Sequence, residues 1–599
     1  MNPDDLLRYY TSELSYLRSM GREFAAQHPM VASRLELQDG HPADPHVERL
    51  IESFAFLTGR IQHELDAEFP EITSSLLGVL YPHLVQPIPP LAVARFQIDA
   101  RRGKFTTGHL IPKHTSLFAY GSGGATCRFR TCYPVTAWPV EIAEAALEPC
   151  ARFDFLSSDP RVAGVLRVRI AASAGSLADL ELDTLRLFLD PRAGPAYVLY
   201  ELLFSALLDV CILPENSSVP VRLSCSSLSP AGFGRDDDVV PYPGHAHPAY
   251  RLLQEYLHFP EKYLFIDVRG LSGHRSESAF DLLFLLDRVP RERLTVRAET
   301  FVPGCTPVAN LFPRTSEPVR LDQRQLYYRL VPDIRRERTT EIHSITKVTG
   351  STNPHDDTRR FEPFYSFRHA GGGSEPKAFW HGRRVWTGRD DLPGTEMHLS
   401  FLDLDFNPAE PPAETVFAHT LCTNRWLATE VPPGAKLQME DVGPVTAVCL
   451  GRPTPPVYPP LGGPAVWQLV SNLSLNHLSL ENGENGLDAL REVLRVYCSG
   501  DQPYLLQQIQ GIRELASRPT MLRIGNEAWR GFCRGTEITL TFDESLYAGG
   551  SAFLLATVLR HFLALYASVN SFTQLVARRV NREDEWKRWP PLAGHQALL

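Results

Sequence analysis

Catalysis needs side chains of the right kind within reach of one another, and several stretches of this 599-residue chain supply the kinds. His63-Glu64, inside "DPHVERLIESFAFLTGRIQHELDAEFP" (44–70), is the first half of a zinc-hydrolase signature. That signature needs a second His one helical turn beyond the first, three positions after the Glu that acts as general base. The position is Ala67, so the pair has no partner ligand. "HAH" (His245, His247) could offer two ligands from one strand face, but no Cys or third His stands near it in sequence, and it reads as a surface loop. Asp236 to Asp238 are three consecutive carboxylates without the Gly–acid spacing of a calcium loop. "GSGGATC" (121–127) has glycines but no Lys-Ser/Thr after them, so it reads as a hairpin turn rather than a phosphate cradle. No G-x-S-x-G nucleophile elbow occurs. The charged run "RRERTTE" (335–341) reads as a solvated face.

Ten cysteines are scattered without a C-x-x-C. Cys127 and Cys132, five apart on an alternating strand, point to opposite faces and read as buried reduced thiols of a cytosolic protein. The residues therefore predict no cofactor and no catalytic metal. Twenty histidines leave room for a dispersed catalytic pair. The alternative class is thus a cytosolic multidomain enzyme on carbohydrate or peptide, which β modules with exposed aromatics would suit.

The helix that carries His63 is well marked. Asp44 is an N-cap residue, Pro45 occupies the first helical position, and Pro70 stops the run. Between them Val47, Leu50, Ile51, Phe54, Leu57, Ile61, Leu65 and Phe69 follow at spacings of three and four, one apolar face about 37 Å long. Asn2-Pro3 opens a similar helix, with Leu7, Tyr10, Leu14, Leu17 and Phe24 in stripe, and a shorter one is expected at 71–81. Tyr16 and Phe56 lie off the stripes, which leaves apolar surface for another chain. Leu50, Phe54, Leu57, Ile61 and Leu65 are the expected packing and interface positions.

The chain is too long for one core. Hydrophobic residues make up 43% and charged residues 22%, ordinary for a soluble globular protein. A net charge of −9 gives no basic footprint for nucleic acid. The start "MNPDDLLRYY" lacks a signal-peptide pattern, and no apolar run is long enough to span a bilayer, so no membrane insertion is expected. The 49 prolines are about 8% of the chain against a usual ~5%, which favours short elements and rigid connections.

Four segments follow in order: a helical segment 1–90, a β-rich domain 91–304 with inserted helices, a second β-rich domain 305–464, and an α+β domain 465–599. In the first β-rich part "GPAYVLYELLFSALLDV" reads as a helix, and "KYLFIDV", "FDLLFLLDR" and "RLTVRAETFV" as strands. In the second, Gly371 to Gly373 separate two aromatic segments, as in a hairpin, and "GRPTPPVYPPLGGP" (451–464) reads as a linker. In the last, helices are expected at 486–498, 503–516 and 551–568, with strands at "TMLRIG", "TEITLTFD" and "FTQLVARRV".

The opening "LLRYYTSELSYLRSMGREFAAQHPMVASRLEL" and the stretch from "DPHVERLIESFAF" to "LYPHLVQPIPP" resemble the N-terminus of the TssF family of type VI secretion baseplate proteins, also called VasA or ImpG. The likeness continues through "CRFRTCYPVTAWPVEI", "LLQEYLHFPEKYLFIDVRGL", "CTPVANLFPRTSEPVRL", "FEPFYSF", "CTNRWLA" and "WQLVSNLSLNHLSL". It ends in "RGTEITLTFDESLYAGGSAFLLATVLRHFLALYASVNSFTQL"; the tail after Val580 carries no further match. No single stretch is chemically diagnostic, but the ordered set is specific. The resemblance implies a structural, non-enzymatic α+β multidomain protein similar to the wedge proteins of contractile-phage baseplates. It further implies two copies with one TssG, a link through TssK, and wedges placed around the VgrG hub beside TssE. The Hcp tube and the TssB/TssC sheath would be met indirectly. The place implied is the bacterial cytoplasm, at a baseplate docked on the inner membrane.

Overall fold

The computed structural model describes residues 81–461 and 486–594 apart from short internal stretches, the longest being 352–358, 365–377, 404–414 and 524–530, and before them 49–60 with a few other positions. Six strands close a barrel in the order Leu91–Ile98, Cys305–Ala309, Thr126–Thr131, Ser116–Tyr120, Lys436–Met439 and Val445–Cys449. Alternation turns Cys127 and Phe129 into its interior, where they meet Phe96, Leu117, Val308 and Ala447. Cys132, just past the same strand, joins a different hydrophobic cluster, so the two thiols do face apart. "GSGGATC" is the hairpin turn the glycines suggested: Gly121 N–H donates to the Ala125 carbonyl at 2.9 Å, and Gly124 takes a left-handed φ of 76°. The barrel uses strands from both sides of residue 304, so the boundary expected there runs through one barrel core.

Beside the barrel lie two antiparallel sheets. One has five strands, ordered Val221–Leu223, Leu207–Pro214, Ala279–Leu286, Gly164–Ala172 and Val140–Glu148. The other has four: Leu228–Pro230, Phe265–Arg269, Thr184–Leu189 and Phe301–Pro303. Helices α1 (Ala196–Ser205) and α2 (Ala249–His258) pack into the same core. The expected helix after Pro195 is shorter than its apolar run. Past Ala206 the residues Val210, Cys211 and Ile212 pair with Phe284, Leu283 and Leu282, and ladder bonds outweigh helix continuation. "RLTVRAETFV" contributes only the strand Phe301–Pro303, after a 3-10 turn at Ala298–Thr300.

An eight-stranded sheet is inserted into the barrel, between Cys305–Ala309 and Lys436–Met439. Its strands Arg359–Pro363 and Ala378–Trp386 pair in parallel, Glu362 opposite Phe379. They are therefore not the two arms of a hairpin; Gly371 to Gly373 lie outside the described residues. The expected linker is also different in kind. Residues 450–457 run antiparallel to 88–93, with Leu450 N–H on the Val93 carbonyl (2.9 Å), Thr454 N–H on Leu91 (2.8 Å) and Val457 N–H on Ile88 (3.0 Å). Proline supplies rigidity here, and the strap is fastened to the barrel's first strand.

In the C-terminal part α3 (Gly486–Val496) matches its periodicity, whereas α4 (Pro503–Gln510) stops at Gly511. A Cβ at Gly511 would meet the Tyr547 ring at 2.4 Å. From Ile512 the chain is already the strand Ile512–Arg523, eight residues before the strand expected at "TMLRIG". Helix α5 (Ala552–Leu565) crosses over between the parallel strands Phe532–Phe542 and Phe572–Arg579. Its Phe553 meets Tyr200 of α1 and the indoles of Trp586 and Trp589, and its Phe562 meets Tyr250 of α2. One hydrophobic cluster thus runs through the two-sheet region and the C-terminal sheet.

Candidate assembly surface

The residues that could have done chemistry are dispersed. His63, Glu64, Ala67 and His245 lie outside the described residues. His247 is half-buried and serves locally, its carbonyl accepting from the Tyr242 hydroxyl at 2.7 Å. The three carboxylates do not converge. Asp237 accepts from Gly234 N–H (2.9 Å), Asp238 pairs with Lys113, and Lys113 also donates to the Asp236 carbonyl (2.7 Å). Among the described residues no three His, Cys, Asp or Glu side chains gather closely enough to hold a metal.

Burial sets the protonation of the remaining candidates. It lowers His83, His343 and His561 to about 3 and His258 to about 4, so each is neutral at physiological pH. It raises Cys132, Cys422 and Cys449 to about 12, which keeps them as inert thiols. The most enclosed charges hold loops in place. Glu255 pairs with Lys262 and accepts the backbone N–H of Val239 at 2.7 Å, while Arg251 donates to the carbonyls of Gly234 and Arg235.

"RRERTTE" is a solvated face only in part. Its last residue, Glu341, is buried and accepts from Thr395 N–H (2.9 Å), Arg425 (3.3 Å) and the Tyr458 hydroxyl (3.0 Å). Two buried asparagines, Asn310 and Asn424, form a second network beside it. Sequence reading passed over both. Asn310 stands directly between apolar residues in "VANLF", whereas Asn424, between Thr423 and Arg425 in "LCTNRWL", carries no such local signal.

What remains open is apolar surface. Residues 49–60 form a helix whose inward side is Ile51, Ala55 and Thr58-Gly59. Leu50, Phe54, Phe56 and Leu57 stand 69%, 58%, 46% and 55% exposed. The expected stripe is therefore split: Ile51 turns toward this chain while Leu50, Phe54 and Leu57 turn out. Ile61 and Leu65 lie outside the described residues. Tyr16, Met20 and Met30 are exposed as well. Large apolar side chains left together in water mark a surface for another molecule.

Comparison with known proteins places the whole chain in one family. The family model "Type VI secretion system, TssF" matches residues 2–596. The Type VI secretion system component TssF1 of Pseudomonas aeruginosa is 37% identical over 624 residues, covering 100% of both chains. Among solved structures, a chain from a TssK-TssF-TssG baseplate subcomplex aligns with a TM-score of 0.74 and 27% identity, covering 92% of this chain and 99% of that one. A chain from the type VI secretion baseplate complex shares the fold at a TM-score of 0.57 and 24% identity, covering 99% and 100%.

Proposed function

The chain belongs to the type VI secretion system TssF family and is a structural baseplate component, and from that premise we propose how it assembles. Its exposed helical face is the surface on which a TssG-like subunit and a second copy of the chain pack, two copies to one TssG. TssK is reached through TssG. TssE, the VgrG hub and neighbouring wedges are met at the wedge's outer contacts, and the Hcp tube and TssB/TssC sheath indirectly. The assembly works on the cytoplasmic side of a baseplate docked at the inner membrane. Among the described residues no helix is long and apolar enough to cross a membrane.

The observation that carries this reading is the outward set Leu50, Phe54, Phe56 and Leu57 on one helix. Residues at such spacing suit helix-in-groove packing, where apolar side chains at i, i+4 and i+7 anchor the partner. The relatives favour this over an enzyme with a dispersed site, since one is a type VI secretion system component by name and another is a chain of a TssK-TssF-TssG baseplate subcomplex. Co-expression with the TssG-like neighbour, followed by native mass measurement, tests it. The expected mass is that of two chains and one partner. A symmetric homodimer that ignores the partner would overturn the proposal.

A further inference from the structure

The eight-stranded sheet leaves the barrel at Asn310-Leu311 and returns at Asn424-Arg425, so two adjacent strand crossings carry the whole insertion. The two asparagines at these crossings are 0% and 4% exposed and bind each other. Asn310 Nδ2 donates to Asn424 Oδ1 at 2.9 Å and to the Arg128 carbonyl at 2.6 Å. Asn310 Oδ1 accepts from Asn424 N–H at 2.7 Å. Asn424 Oδ1 also accepts from Arg128 N–H at 2.8 Å, and its Nδ2 donates to the carbonyls of Thr126 (3.3 Å) and Thr339 (3.1 Å). Every amide hydrogen and oxygen of the pair is used, partly on the barrel and partly on the inserted unit.

A second tie lies beyond the first. Arg425 holds a left-handed φ of 54° and sends Nη1 to Glu341 and to the Pro393 carbonyl, the latter at 2.7 Å. Glu341 also takes the hydroxyl of Tyr458, which belongs to the strap fastened along the barrel's first strand. Gly394 permits this closeness, because a Cβ there would lie 2.4 Å from the Arg425 guanidinium. Apolar contact would bury the same junction without fixing a direction, whereas hydrogen bonds are lost when either side turns. An unpaired amide in so enclosed a place is costly, which leaves one orientation satisfied.

We propose that Asn310, Asn424, Glu341, Arg425 and Tyr458 form a fixed-angle stem that holds the inserted sheet in one orientation to the barrel, so that the sheet serves as a rigid bracket. Asn424→Asp keeps the shape but removes the two Nδ2 hydrogen bonds, and Tyr458→Phe removes only the tie to the strap. Hydrogen exchange on the full chain reads the stem directly. Amides at 339–342, 394–395 and 424–425 should exchange at least tenfold faster in either variant, with 537–541 and 575–577 of the C-terminal sheet unchanged. Unchanged exchange at the crossings would overturn the stem, and so would a rise that the C-terminal sheet shares equally. The bracket's use in secretion rests on the baseplate reading, and has its own readout. Asn424→Asp should cut secretion at least tenfold at normal chain abundance; normal secretion would overturn the bracket role while leaving the exchange result standing.

Discussion

His561 stacks on Phe233 with ring centroids 4.3 Å apart, and its Nε2 is buried without a hydrogen-bond partner among the described residues. Burial, with Arg560 adding to it, lowers its pKa from 6.5 to about 3. The folded chain therefore stays unprotonated there while the unfolded chain takes up a proton below pH 6.5. Stability from this residue is complete above pH 6.5 and is lost progressively as pH falls toward 3, by about 1.4 kcal/mol per pH unit for one proton. His83, His258 and His343 act in the same direction. Thermal melts from pH 7.5 to 4.5 should show marked acid destabilisation, and His561→Phe, which keeps the stack, should reduce the slope by about one proton. An unaltered slope would mean that His561 titrates alike in both states.

The helix at 49–60 separates stability from assembly. Phe54 and Leu57 are more than half exposed, so Phe54→Asp with Leu57→Asp should change the melting behaviour of the isolated chain little. In the assembled wedge the same pair would place two carboxylates against apolar partners, which costs several kcal/mol. Complex formation and secretion should be abolished, while His63→Ala and Glu64→Ala leave both close to normal. Loss of secretion by the His63 and Glu64 changes in a chain that still assembles would reopen catalysis. Ala55, on the inward side and fully buried, belongs to the fold rather than to the interface. Local pattern located this helix because amphipathic spacing is a local property. It could not say which half of the apolar stripe the chain itself covers, since that depends on neighbours distant in sequence.

At the scale of the molecule, core continuity decides what can fold alone. Phe553, Phe562 and Tyr497 of the C-terminal part pack on Tyr200 and Tyr250 of the two-sheet region, and Arg579 pairs with Glu201 of α1. Residues 465–599 expressed by themselves should therefore be poorly folded, with little chemical-shift dispersion in NMR spectra; a cooperative unfolding transition of that fragment would show an independent core. The amino-acid sequence by itself determined the family, the mixture of helical and β-rich segments, and the helices α3 and α5, because each is written in ordered stretches or in local periodicity. Only the tertiary structure decided where α1 and α4 yield to strands, because an apolar run suits either state until a partner strand such as 279–286 or 532–542 is in place. It alone made 359–363 and 378–386 parallel, since strand direction is fixed by pairing and not by side-chain type. The strap at 450–458 and the Asn310–Asn424 pair were illegible for the same reason: their hydrogen bonds join residues up to several hundred positions apart, and no local pattern carries that distance.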